Sequence, residues 1–181
     1  MVKERFKELT GFEGNEFIEL HSGLSNATYA VDGEYALRIK KPSDKAFYSP
    51  KYEKKVLMNA ASCGLAPDVI AFDKNGDCVT RWIKDSRAYV EPSMSDEDLI
   101  NTVEIIKKVH KLPRIFRNFS AIQRYSHYKR LSKVAIADEY EDKVVALAKT
   151  IFKKDKAVLS HNDMVFGNLI KDVRTKRIYL I

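Results

Sequence analysis

The stretch Leu159-Ser160-His161-Asn162-Asp163-Met164-Val165-Phe166-Gly167-Asn168-Leu169-Ile170 constrains this chain most. It sets an Asp and an Asn five residues apart, between two short apolar runs. Runs of that kind suit two strands, and the polar middle suits a loop joining them. In such a loop Asp163 can stand beside a substrate hydroxyl and accept its proton. The amide oxygen of Asn168 is a hard ligand suited to Mg²⁺. The structural alternative is a turn rich in Asn and Asp that caps its own backbone. His161 reads as a brace for the loop, acting through hydrogen bonds, in preference to a base.

Ahead of that loop the pattern predicts an α+β chain in two parts. The first is mostly antiparallel sheet with one helix. A short helix is expected over 4–9, and strands over 16–20, 27–31, 35–40, 69–72 and 78–83. Asp32-Gly33 is a two-residue hairpin signal. Pro42 breaks the third strand. Ser49-Pro50 reads as an N-cap followed by Pro at the first helical position. The helix it opens runs over 50–63, with Gly64 as its stop. The polar residues 84–86 suit a hinge. The second part is mainly helical. Ser95 with Asp98 three residues on is a capping arrangement, and Leu99, Val103, Ile106 and His110 follow at helical spacing. Further helices are expected over 122–134 and 139–152, the latter with Val144, Ala148, Ile151 and Phe152 on one face. A strand at 157–159 leads into the loop, and 168–171 with 177–181 make a closing hairpin. His110 reads as a packing histidine; His21 and His127 receive no role.

Three features of the first part point to phosphate chemistry. On strand 35–40, alternation puts Ala36 and Arg38 on one face, so a flat ring has room beside a cation. The alternative is a solvated Arg on an edge strand. On the helix, Glu53 lines up with Val56, Leu57 and Ala60, which sets a carboxylate on the apolar face. A buried carboxylate costs several kcal/mol unless it is paired, and Arg38 is the near partner; otherwise Glu53 reaches out to solvent. The turn Ser22-Gly23-Leu24-Ser25-Asn26 lies between two strands. Its small residues let backbone N–H groups approach phosphate oxygens, though any hairpin carries Gly and Ser.

These pieces, in this order, resemble the choline/ethanolamine kinase family within the aminoglycoside phosphotransferase-like group. The resemblance rests on residues 22–26, Ala36-Leu37-Arg38-Ile39, Glu53, Gly64-Leu65-Ala66-Pro67, Val109-His110, residues 119–125 and the loop from His161 to Asn168. It implies a two-lobed protein-kinase-like fold. Residues 1–85 would be the nucleotide-binding lobe and residues 86–181 an incomplete catalytic lobe. ATP and Mg²⁺ are the implied cofactors, and the γ-phosphate would pass to the hydroxyl of choline, ethanolamine or a similar amino alcohol. Asp163 would be the base, Asn168 a Mg²⁺ ligand, Arg38 the phosphate cation and Glu53 its partner. Ser22, Gly23, Ser25 and Asn26 would cover the phosphates. Ala36 and the backbone of Trp82 and Ile83 would meet the adenine.

Two departures stand out. The family's phosphate loop begins Gly-Gly, where this chain has Ser22-Gly23. The family also continues past a strand like 177–181 with Asp-x-Glu, whose Asp is its other Mg²⁺ ligand; these 181 residues stop one short of it. On that resemblance, the 181 residues by themselves are expected to bind nucleotide weakly, turn over little, and self-associate through uncovered apolar surface. Two alternatives stay open: a kinase for an aminoglycoside, a sugar or thiamine, and a non-catalytic pseudokinase or binding module.

Composition excludes more than it selects. A net charge of +7 favours anionic partners. The stretch 114–133 interleaves Arg and Lys with Phe116, Phe119, Tyr125 and Tyr128, which suits a nucleic-acid surface or an amphipathic helix with a solvated basic face; no nucleic-acid partner is expected. Cys63 and Cys78 are the only cysteines and have no metal-ligand spacing. No apolar run is long enough to span a bilayer and the N-terminus lacks a signal-peptide core, so the cytoplasm is the expected compartment.

Overall fold

A computed structural model describes residues 1–22, 25–41, 48–89, 94–115, 120–132, 138–152 and 158–181. They fall into two compact units: Met1–Arg114 with Leu159–Ile181, and Ile115–Val158. The architecture is α+β, as the sequence pattern predicts.

The first unit opens with helix α1 (Val2–Thr10), followed by strands β1 (Phe17–Ser22), β2 (Asn26–Val31) and β3 (Tyr35–Lys40). Helix α2 (Pro50–Ser62) precedes β4 (Val69–Phe72) and β5 (Cys78–Arg81). The five strands form one antiparallel sheet in the order β1-β2-β3-β5-β4. Asp32 and Gly33 turn the β2–β3 hairpin with φ of 53° and 60°. Val31 pairs with Tyr35, so the connection is three residues long, one more than the expected turn. Asp32 also accepts the backbone N–H groups of Asn15 and Glu16, which holds the entry to β1.

One face of this sheet is the core. Phe6 of α1, Val31, Leu37 and Val79 are fully buried together, with Phe17, Tyr29, Tyr35 and Ile39 packed around them. Burying four such side chains supplies several kcal/mol of hydrophobic stabilisation. Arg5 ties α1 to the β4–β5 turn through Asp73 and Asp77. The strand expected to reach residue 83 ends at Arg81, because its partner Tyr35 is the first residue of β3. Trp82 then donates its N–H to the Glu34 carbonyl at 2.8 Å.

The same unit holds β6 (Ser86–Ala88), α3 (Asp96–Lys111), a short 3-10 helix (Phe166–Asn168), β7 (Leu169–Asp172) and β8 (Ile178–Leu180). The last three strands make a second antiparallel sheet, β6-β7-β8. Residue 86, expected in a hinge, thus begins a strand. Its partners lie more than eighty residues on, beyond the reach of local pattern. Residues 158 and 159, expected as strand, carry no strand pairing; residue 157 lies outside the described residues. Asn168 belongs to the 3-10 turn and not to the closing hairpin.

Ser95 caps α3 by accepting the Asp98 N–H at 3.2 Å. The helix turns a different face inward from the one its apolar spacing suggested. Thr102, Ile105 and Val109 are buried, while Leu99, Val103 and His110 are exposed. An ion pair decides the rotation: the buried Asp98 carboxylate takes the Lys171 ammonium of β7 at 2.6 Å.

The second unit is helix α4 (Ala121–Leu131) and helix α5 (Asp138–Phe152). An ion pair joins Lys129 to Glu141. Ser120 caps α4 at the Gln123 N–H. Val144 and Ile151, expected to pack, are exposed. Phe116, Phe119, Lys133 and Val134 lie outside the described residues. No helix among the described residues is long and apolar enough to cross a membrane.

Candidate functional site

The sheet face opposite the core carries the polar residues. Strand register sets Asn26 opposite Lys40, Thr28 opposite Arg38 and Ala30 opposite Ala36, and β5 adds Cys78 opposite Arg38 and Thr80 opposite Ala36. Directly opposed side chains share a face. This face therefore grades from small residues at Ala30 and Ala36 to cations at Arg38 and Lys40.

Helix α2 brings a carboxylate to the cationic end. Arg38 donates from Nη2 to Glu53 Oε1 at 2.5 Å, with both side chains 27% exposed. This is the pairing that strand alternation and helix spacing anticipate. It leaves Arg38 Nε buried without a partner among the described residues. A buried, unpaired donor on a guanidinium is costly, and a phosphate oxygen would satisfy it.

Local sequence fixes α2. Pro50 opens it behind the Ser49 N-cap. Its end is a Schellman motif: the N–H of Gly64 reaches the carbonyl of Ala61, and that of Leu65 reaches Ala60, both at 2.8 Å. Gly64 sits at φ 63°, and any Cβ there would collide with Arg177, which donates to the Gly64 carbonyl at 2.7 Å.

Around the pair, Cys78 is 2% exposed, and burial pushes its thiol up to about 11. Burial, with the charge of Arg38, lowers the Lys40 ammonium below its usual range despite nearby Glu53. Lys40 Nζ lies over the Tyr48 ring, 4.3 Å from its centroid. Burial and then Glu53 push the Tyr48 hydroxyl upward. Neither Lys40 nor Tyr48 was singled out from sequence. Period-two spacing from Arg38 would have found Lys40; Tyr48, just before a helix cap, carries no such signal.

Of the expected phosphate-covering turn, Gly23 lies outside the described residues, and Ser22 ends β1. The Ser25 carbonyl accepts the Lys41 N–H at 2.9 Å, which extends the β2–β3 pairing one step past Asn26 and Lys40. Asn26 Oδ1 is buried without a partner among the described residues. Trp82 and Ile83 are half-buried in the connection from β5 to β6. The Trp82 N–H is committed to the Glu34 carbonyl, so of the backbone groups expected to meet the adenine that one is already taken.

The Asp163 loop is held from three sides. Asn168 Nδ2 donates to the Asp163 carbonyl at 2.8 Å and to its carboxylate Oδ2 at 3.0 Å. The Val165 N–H also donates to the Asp163 carbonyl, at 3.0 Å. The His161 ring lies 3.1 Å from that carbonyl through Nδ1 and 3.2 Å from the Ile181 carbonyl through Nε2. His161 is thus the brace expected. Asn162 makes the bend at φ 63°. Because the Asn168 amide nitrogen is spent on Asp163, its oxygen is the atom left to bind a cation.

The two pairs, Arg38–Glu53 and Asp163–Asn168, lie in one unit, and no ion pair joins them among the described residues. Backbone bonds connect their supports. Leu180 of β8 donates to the Leu65 carbonyl just past α2, and Ile181 donates to the Asn168 carbonyl. Among the described residues no cluster of three His, Cys, Asp or Glu forms a metal cage. The Asn168 amide oxygen is a hard donor of the kind Mg²⁺ takes, with waters and substrate phosphates filling the rest of its shell.

Residues 16–181 match the model of the family described as APH, phosphotransferase enzyme family. No curated protein sequence matches. Solved structures share the fold. Choline kinase LicA from Streptococcus pneumoniae aligns with TM-score 0.76 and 19% identity over 99% of this chain and 66% of its own. A choline/ethanolamine kinase family protein from Mesorhizobium loti aligns with TM-score 0.65 and 22% identity, over 92% of this chain and 57% of its own. The ADP-bound aminoglycoside phosphotransferase APH(2'')-Ib aligns with TM-score 0.68 and 18% identity, over 97% and 67%. The chain thus spans 57% and 66% of the length of the two choline kinase-type structures.

Proposed function

Since the chain belongs to the phosphotransferase enzyme family, we propose that the protein transfers the γ-phosphate of ATP to the hydroxyl of choline, ethanolamine or a similar small amino alcohol. The observation that carries the reading is the Asp163–Asn168 bond: it presents an exposed carboxylate beside an amide oxygen free to bind a cation. Asp163 accepts the proton of the acceptor hydroxyl as the new P–O bond forms and ADP leaves. Mg²⁺, when bound at Asn168, neutralises charge on the phosphate oxygens. Arg38, aimed by Glu53, binds phosphate through its unpartnered Nε. The small face at Ala30, Ala36 and Thr80 takes the flat base, with the Ile83 backbone at its edge. Ser22, Ser25 and Asn26 close over the phosphates.

The amino-alcohol acceptor rests on the order of motifs and on the choline and ethanolamine kinases among the structural neighbours. Aminoglycoside phosphotransferases align as well as some of these, so the acceptor is the part to test. ADP formation should be followed with ATP, Mg²⁺ and either choline, ethanolamine, an aminoglycoside or no acceptor. Stimulation by choline or ethanolamine, lost on the order of 10²–10⁴-fold in Asp163→Asn, supports the reading. Stimulation by the aminoglycoside alone replaces the acceptor. Equal rates for the wild type and Asp163→Asn overturn the role of Asp163.

A further inference from the structure

Two cations, Arg38 and Lys40, share one face of β3, and a single carboxylate, Glu53, is paired with one of them. Lys40 is half-buried at the end of its strand, with its backbone N–H fixed to Asp77 at 2.7 Å. Its ammonium makes no ion pair among the described residues; it rests on the Tyr48 ring instead. Asn26, directly across from it, holds a buried oxygen with no partner among those residues. Arg38 Nε, two residues back on the same face of β3, also lacks one.

A half-buried ammonium over an aromatic ring keeps its charge at a desolvation cost. An anion held by both Lys40 and Arg38 would offset that cost and give the unpartnered guanidinium nitrogen an acceptor. The ring of Tyr48 fixes where the ammonium stands, and Tyr48 is itself confined, since Gly76 leaves no room for a Cβ beneath its hydroxyl. We propose that Lys40 is a second phosphate-binding cation of this site, positioned by Tyr48, and that it favours nucleotides over the nucleoside. The inference rests on the ATP reading above and adds to it a residue which that reading does not use.

A purely structural Lys40, propping Tyr48, is the competing account. Lys40→Met separates the two, because an unbranched thioether keeps the contact with the ring while the charge is lost. ATP, ADP and adenosine should be titrated calorimetrically into the wild type, Lys40→Met, Lys40→Arg and Arg38→Met, with thermal melts run alongside. The expected result is a loss of roughly tenfold or more in ATP affinity for Lys40→Met. Adenosine affinity and melting temperature should be unchanged, and Lys40→Arg should recover most of the ATP affinity. ATP binding by Lys40→Met equal to the wild type overturns the role of Lys40; the parent reading then stands if Arg38→Met still loses ATP. If the wild type binds ATP no better than adenosine, both fall. Should Lys40→Met not fold, Tyr48→Leu provides the second test: it must also weaken ATP relative to adenosine, and an unchanged ratio overturns the proposal.

Discussion

The two faces of the five-stranded sheet come from the same strands and have opposite chemistry. Odd positions of β3, Tyr35, Leu37 and Ile39, pack with Phe6, Val31 and Val79 into a dry core. Even positions, Ala36, Arg38 and Lys40, face α2 with buried polar atoms left unpaired. The first face satisfies its demands internally. The second leaves a guanidinium nitrogen of Arg38 and the amide oxygen of Asn26 buried without partners among the described residues, while Glu53 also acts on the Tyr48 hydroxyl. Each such atom costs about 1–3 kcal/mol, and a phosphate oxygen arriving at Arg38 Nε would supply that donor with its partner. Stability is concentrated on one side of β3, and the proposed recognition lies on the other.

The largest effect should come from the core face. Leu37→Ala deletes a fully buried side chain and should cost about 2–5 kcal/mol of folding stability. Denaturant unfolding measures that loss, and ATP affinity measured below the transition should hardly change. A variant that keeps its stability but loses ATP would break the division between the faces.

A smaller effect separates the cysteines. Cys78 lies on the Arg38 face of the sheet but is buried, with its thiol raised to about 11; Cys63 is exposed. A thiol reagent at pH 8 should modify Cys63 quickly and Cys78 slowly. Only the thiolate reacts, so the Cys78 rate should climb about tenfold per pH unit toward 11. Mass mapping of the modified residues checks this. Fast reaction of Cys78 at pH 8 would mean that the Arg38 face opens to solvent more than its burial implies.

Much of this division was legible in the chain, and the reasons differ by residue. Arg38 and Glu53 were visible because a period of two and a period of 3.6 each assign a face, and the connecting segment is short. Asp163 and Asn168 were visible because one loop holds both. The rotation of α3 was not, because Leu99 and Val103 offered an apolar stripe while the deciding contact, Asp98 with Lys171, spans 73 residues. Strand β6 was hidden for the same reason: three residues without alternation become a strand only through β7. Lys40 drew no reading from sequence; the strand register places Asn26 across from it, and the Tyr48 ring lies under its ammonium.

The central claim is that the Arg38 face binds the phosphates of a nucleotide. Its most direct test is a calorimetric titration of Mg-ATP into the wild type, Arg38→Met and Glu53→Gln, each first shown to be folded. The account predicts saturable binding by the wild type and a loss on the order of tenfold to a hundredfold for Arg38→Met. Glu53→Gln should lose less, because the cation remains but is no longer aimed. Binding of equal strength by all three proteins would contradict the account.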